Sequence, residues 1–211
     1  MTSDAGMTRS GRLLTPKLPP HAPGMTIGLY GGSFNPPHEA HRKVALTALK
    51  RLGLDRLWIL VTPGNPLKDH DGLPPLDERI AAVRRLIRHP RVEVTGVERE
   101  IGSSRTCQVL AYLRARAPDV RFVWVMGADN LEDLHRWGRW RAIMETAPVA
   151  VVDRPGASFS ALSARAAQTY AGRRIDESDA LRLAYAPAPA WMFLHGPRSS
   201  LSSTALRGGG G

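Results

Sequence analysis

Apolar positions along this chain fall into two alternating kinds of segment. Short, nearly continuous apolar runs occur at 25–30 (MTIGLY), 56–63 (RLWILVTP), 91–98 (RVEVTGVE), 120–127 (VRFVWVMG), 147–156 (APVAVVDRPG) and 191–196 (WMFLHG). Their length, their β-branched and aromatic content and the turn residues that bound them predict strands buried on both faces. Between them the spacing lengthens to a helical period. Val44, Ala45, Ala48, Leu49 and Leu52 make one apolar face over 38–52, with Gly53 as the stop signal. Further helices are predicted over 76–88 and over 106–117, the latter carried by Val109, Leu110 and Leu113. The stretches 128–137 and 138–146 also predict helix. The Ala-rich stretch 157–190 predicts one or two helices that break the regular alternation, and 202–207 opens as a helix capped by Ser202 or Ser203.

Strand alternating with helix implies a parallel sheet, because parallel neighbours need long crossovers, and those crossovers cover both faces of the sheet. The expected fold is therefore α/β: a Rossmann-like, doubly wound parallel sheet. Residues 1–24, with Pro16, Pro19, Pro20 and Pro23 and no sustained apolar period, predict a flexible extension ahead of a single domain over 25–211. No apolar run is long enough to span a bilayer, and the N-terminus lacks the apolar core of a secretory signal, so a cytoplasmic location without membrane association is expected. Cys107, the single cysteine, excludes an internal disulfide and predicts a buried, inert thiol.

A formal charge of +10 favours anionic partners in general. Most arginines fall on predicted helices, where a solvated polar face explains them, and no tract interleaves basic with aromatic residues as a single-strand groove requires. Nucleic acid is accordingly not an expected partner, and a basic nucleic-acid-binding module is the rival from another class.

The chemistry concentrates where the first strand ends. In doubly wound sheets ligands sit beyond the carboxyl ends of the strands, and the string GGSFNPPHEAH occupies that place at 31–41. Gly31 and Gly32 permit close backbone approach, the prolines stiffen the turn, and His38 and His41 lie three apart on one face of a helix start, at the positive end of its dipole. Both can donate to phosphate oxygens. Neither a Walker lysine loop nor a G-x-G-x-x-G fingerprint is present. A metal site at the two histidines would need a third ligand that the sequence does not supply.

This string resembles the G-x-F-x-P-x-H-x-G-H signature of the nucleotidyltransferase superfamily, with Ala40 where the pattern has glycine. A second superfamily signature, I-S-S-T-x-I-R, is matched by LSSTALR at 201–207. Within the superfamily, NPLK (65–68), SSRTCQVL (103–110), GADNLEDLHRW (127–137) and DRPG (153–156) resemble the nicotinate-nucleotide adenylyltransferases.

The resemblance implies transfer of an adenylyl group from ATP to nicotinate mononucleotide, giving the deamido dinucleotide and pyrophosphate, with Mg²⁺ accompanying ATP and no covalent enzyme intermediate. It implies catalytic roles on the phosphates for His38, His41, Lys68 and Arg207. Gly31, Gly32, Ser33, Phe34, Ser202, Ser203 and Thr204 would bind ATP; the last three can offer hydroxyls and free helix N-terminal amides. Thr106, Asp129 and Trp137 would bind the mononucleotide, with Trp137 stacking on the pyridinium ring and Thr106 hydrogen-bonding the carboxylate. Structural alternatives stand beside these roles: Trp137 as core, Thr106 as an N-cap. Arg105 replaces the family's usual tyrosine and brings a charge that favours an acid substrate. The nearest rival activity is transfer to phosphopantetheine, which would not need Trp137.

Overall fold

The computed structural model describes residues 16–64, 73–153 and 158–196. Seven strands form one sheet in the order β3-β2-β1-β4-β5-β7-β6: β1 (Thr26–Gly32), β2 (Arg56–Val61), β3 (Val92–Thr95), β4 (Arg121–Gly127), β5 (Val149–Val152), β6 (Arg174–Ile175) and β7 (Trp191–Leu194). Every pairing is parallel. The expected doubly wound α/β fold is therefore observed.

Helices α1 (Glu39–Arg51) and α2 (Leu76–Leu86) contribute to the core on one face, and α4 (Thr106–Arg116) and α6 (Trp140–Thr146) to the core on the other. The strands feed both layers by simple alternation. On β4, Phe122, Trp124 and Met126 enter the core shared with α4, while Val123 and Val125 enter the one shared with α1. β2 and β7 divide the same way: Trp58 and Leu60 against Leu57, Ile59 and Val61; Trp191 and Phe193 against Met192 and Leu194. Apolar area leaves water on both faces at about 25 cal/mol per Å², which is why these strands carry no polar alternation. The strand order turns between β1 and β4, since the chain winds one way from β1 through β2 to β3 and the other way from β4 onward.

Local departures from the sequence expectations have local causes. The strand expected over 91–98 stops at Thr95, because the Thr95 hydroxyl accepts the Val97 N–H at 3.1 Å and turns the chain at Gly96 into a short helix, α3 (Val97–Ile101). Gly102, at φ +73°, ends that helix in the left-handed conformation that favours glycine. The helix expected over 128–137 is α5 (Ala128–Asp133) followed by a 3₁₀ turn at Leu134–Arg136. The stretch 157–190 holds two short helices, α7 (Ser158–Ser163) and α8 (Arg165–Thr169), then 3₁₀ turns and the two-residue edge strand β6. Helix α1 stops as expected, with Gly53 at φ +60°.

Of residues 1–24, those at 16–24 are described. Pro19 is buried, Leu18 packs on the α4-side core, and the His21 ring meets Trp58 edge-on at 5.8 Å. Cys107 is buried in that same core. Among the described residues no helix is long and apolar enough to cross a membrane.

Candidate active site

A cavity of about 650 Å³ opens where β1 and β4 end, at the turn in the strand order. Ligands of doubly wound sheets bind at this position, and the volume falls within the range of small-molecule sites. Gly31, Gly32, Ser33, Phe34, His38 and His41 line one part of it. Thr106, Asp129 and Trp137 line another. The structure thus brings together every expected site residue that it describes. Lys68, Ser202, Ser203, Thr204 and Arg207 lie outside the described residues.

The wall after β1 is built by close backbone packing. A Cβ on Gly31 would stand 2.6 Å from Cη2 of Trp124, so glycine is required here by space alone. Phe34 adopts φ +48°, an uncommon conformation for a non-glycine residue, and is almost fully buried. Its ring packs edge-on against Tyr30 at 5.5 Å and against the His41 ring at 5.0 Å. Phe34 therefore supports His41 while itself lining the cavity.

His38 occupies the N-cap of α1, and its backbone N–H donates to Nδ1 of His41 at 3.2 Å. The two rings lie 3.8 Å apart, tilted by 35°. Because Nδ1 of His41 accepts this bond, a neutral His41 carries its proton on Nε2, where it can donate outward. Two imidazoles thus stack at the start of α1, at the positive end of its dipole, a disposition suited to an anion.

The opposite wall comes from three separate segments. Thr106 is the first residue of α4, and Arg105 holds the cap position, so the N-cap alternative for Thr106 is not what the structure adopts. Arg105 is exposed and lines the cavity beside it. Trp137 packs partly against the α4-side core and also lines the cavity, so the core alternative and the site reading each describe part of its surface. Asp129 enters from α5, directly after β4.

Two residues that the sequence did not single out help to build the site. Arg79 in α2 is buried, contrary to the solvated face expected of that helix's arginines. Its guanidinium donates to the carbonyls of Pro74 at 2.9 Å, Ser33 at 2.8 Å, Thr62 at 2.8 Å and Pro63 at 3.2 Å, and burial lowers its pKa. It pins the loop after β1 to the loop after β2, and only its dense cluster of carbonyl partners, invisible in sequence, distinguishes it from Arg84 or Arg85. The second is Glu98 in α3, a buried carboxyl in the cavity wall. Burial pushes its pKa up to about 7, against a hydrogen bond with the Thr62 side chain that pulls it down.

Among the described residues no cluster of three His, Cys, Asp or Glu side chains could hold a metal ion. A metal cage made by the protein is thus not part of the described cavity, whereas a hard cation can also be held largely by substrate phosphates with one or two carboxylates.

Comparison with known proteins follows the same line. Residues 29–209 match the cytidylyltransferase-like family. A probable nicotinate-nucleotide adenylyltransferase of Rhizobium meliloti is 59% identical over 183 residues, covering 87% of this chain and 97% of its own. One from Methylorubrum extorquens is 61% identical over 183 residues, covering 87% of this chain and 99% of its own. In fold, the chain is similar to the Plasmodium falciparum nicotinic acid mononucleotide adenylyltransferase complexed with NaAD, with a TM-score of 0.62 at 18% identity over 84% of this chain and 78% of that one. With the family matched along most of its length and its relatives matched nearly end to end, the chain belongs to the cytidylyltransferase-like family and, within it, to the nicotinate-nucleotide adenylyltransferases.

Proposed function

We propose that this cavity is where the enzyme joins the adenylyl group of ATP to nicotinate mononucleotide, with the phosphates held at the β1–α1 turn and the nicotinate moiety at Thr106 and Trp137. The observation that carries this reading is that the His38–His41 pair and the Thr106–Trp137 pair line the same cavity, although 64 residues lie between His41 and Thr106 in the chain.

The reaction is attack of the mononucleotide's 5′-phosphate oxygen on the α-phosphorus of ATP, breaking the bond to the bridging oxygen and releasing pyrophosphate. A phosphate nucleophile is already ionised at neutral pH, so no general base is needed. Catalysis then rests on alignment of the two phosphates and on stabilising the charge that builds on the transferring and leaving groups. His41, whose neutral ring donates from Nε2, and His38 above it supply donors at that place, with the α1 N-terminus behind them. Lys68 and Arg207 are assigned further charge on the phosphates, and Ser202, Ser203 and Thr204 further donors, by resemblance to the family. Gly31 and Gly32 keep the floor low enough for the triphosphate to approach the backbone.

A divalent metal accompanies ATP in nucleotidyl transfer of this kind, and Mg²⁺ is the ion proposed here, supplying charge neutralisation on the phosphates when bound. Asp129, which lines the cavity, is the carboxylate proposed to meet it. Trp137 offers its ring face to the fixed positive charge of the pyridinium, and Thr106 and Arg105 offer a hydroxyl and a guanidinium to the nicotinate carboxylate.

The test is pyrophosphate release by the purified full chain with ATP and each acceptor in turn. Release with nicotinate mononucleotide and none with phosphopantetheine is the expected result. Turnover with phosphopantetheine alone would overturn the assignment.

A further inference from the structure

Glu98 is the one buried carboxyl among the described residues, 4% exposed, and its Oε2 makes no hydrogen bond. An unmade bond on a buried polar atom costs on the order of 1–3 kcal/mol, so a fold retains one where something else completes it. The surroundings narrow what that is. The Thr62 hydroxyl is the side-chain partner of Glu98, yet its single proton is donated to the Gly64 carbonyl at 3.0 Å. This bond leaves Oε2 of Glu98 unmet.

The position of Glu98 ties it to the acceptor end of the cavity. Its own carbonyl accepts the Ser103 N–H at 3.2 Å, and the Ser103 hydroxyl accepts the Arg105 N–H at 3.1 Å, so α3 is fastened to the loop that delivers Thr106. Of the elements packed on α3, β2 is followed at once by Thr62 and α4 is preceded by its N-cap Arg105, and both residues line the cavity. The other titratable or charged residues bordering the cavity are Tyr30 from β1, His38 and His41 at α1, Asp129 on α5 and Arg136 after it. Burial raises the pKa of Glu98, and the hydrogen bond with Thr62 lowers it in part.

We propose that Glu98 is a specificity residue for the mononucleotide: while protonated it donates its unused hydrogen bond to the substrate's pyridine carboxylate, and once ionised it repels that carboxylate. The inference rests on the placement of the nicotinate moiety at Thr106 and Trp137 given above. An ionised Glu98 does not repel nicotinamide mononucleotide, whose amide can donate to it. Preference for the acid over the amide is therefore greatest when Glu98 is neutral and declines as it loses its proton.

The experiment is the ratio of kcat/KM for nicotinate mononucleotide to that for nicotinamide mononucleotide, measured from pH 6 to pH 8.5 at saturating ATP. Groups that act on the phosphates affect both acceptors alike, so the ratio isolates the group that meets the ring substituent. In the native enzyme the ratio should fall on the order of tenfold across this range, as expected for a site that recognises mainly the neutral form of a group titrating within it. Glu98→Gln, which keeps a donor and cannot ionise, should give a flat ratio. Thr62→Val, which removes the hydrogen bond that lowers the pKa, should move the midpoint to higher pH, a shift that a merely structural role would not produce. A flat ratio in the native enzyme, or an unchanged slope in Glu98→Gln and an unmoved midpoint in Thr62→Val, would overturn the inference while leaving the reaction assignment intact. Absence of deamido-dinucleotide formation at every pH would overturn both.

Discussion

The two ends of the cavity are built in opposite ways. The end proposed to hold the phosphates is one contiguous piece of chain: β1 delivers Gly31 and Gly32, the turn delivers Phe34, and α1 begins at once with His38 and His41. The end proposed to hold the mononucleotide is assembled from α3, the head of α4, α5 and the turn after it, each reaching the site from a different part of the sequence. Charge recognition needs a fixed nest of donors, which a single turn and helix start can supply. Recognition of a flat ring with one acidic substituent needs faces and edges from several directions, which a single segment cannot supply. The consequence is a division of labour: the phosphate end should govern the chemical step, and the acceptor end should govern which mononucleotide enters.

The largest expected effect breaks the phosphate end. Removing one preorganised donor from a charge-stabilising site typically lowers kcat by 10²–10³, so His41→Ala should lose about that much, and His38→Ala a comparable amount, with thermal stability little changed. Circular dichroism melts alongside initial rates would check both halves; a preserved kcat would remove these histidines from the chemistry. The same histidines were the most legible part of the site, because glycines, an aromatic, prolines and paired histidines follow the first strand within eleven positions. Contiguity makes a motif, and a motif can be recognised.

Next comes the joint between the two ends. Arg79→Met leaves the carbonyls of Ser33, Thr62, Pro63 and Pro74 without their common donor. Unsatisfied buried acceptors make a loss on the order of 3 kcal/mol the expected outcome in urea unfolding, with KM for ATP raised because the turn after β1 loses its anchor. Arg79→Lys should recover part of this. No sequence pattern marks Arg79, since it sits among other arginines on a helix with an ordinary amphipathic period. Its role arises from carbonyls at the ends of two strands that the fold alone brings together.

Glu98 gives an effect of similar size with a definite pH signature. Its folded pKa of about 7 lies above the ordinary glutamate value of 4.5, so the folded state binds more protons between those values and stability falls as pH rises through them. The penalty is absent below the unfolded pKa and complete above the folded one. Glu98→Gln cannot pay it, and should therefore unfold at higher denaturant than the native chain at pH 8.5, by on the order of 3 kcal/mol, with the difference shrinking toward pH 4.5. A pH-independent difference would mean that packing, not ionisation, governs this position. Glu98 is equally hard to read from sequence, because the strand expected over 91–98 puts it at a strand end, and only the turn at Gly96 carries it into the cavity wall.

The fold itself was more legible than the acceptor end. Each apolar run along the sheet was long enough to name a strand, and the alternation with helices settled the parallel architecture. What failed to show was short: α3, the break between α5 and its 3₁₀ turn, and the two-residue β6. Elements of that length have no period to detect and take their form from capping bonds, such as Thr95 to Val97, and from neighbours across the sheet edge.

The division of labour is tested most directly by the smallest substitution effect, Trp137→Ala, measured beside His41→Ala with both substrates varied. Loss of a cation–π contact worth roughly 1–2 kcal/mol predicts KM for nicotinate mononucleotide raised about tenfold, with kcat and KM for ATP nearly unchanged, while His41→Ala shows the reverse pattern, a collapsed kcat and a nearly native KM for the mononucleotide. A Trp137→Ala enzyme that loses kcat or ATP affinity while still holding the mononucleotide at native KM would contradict the account.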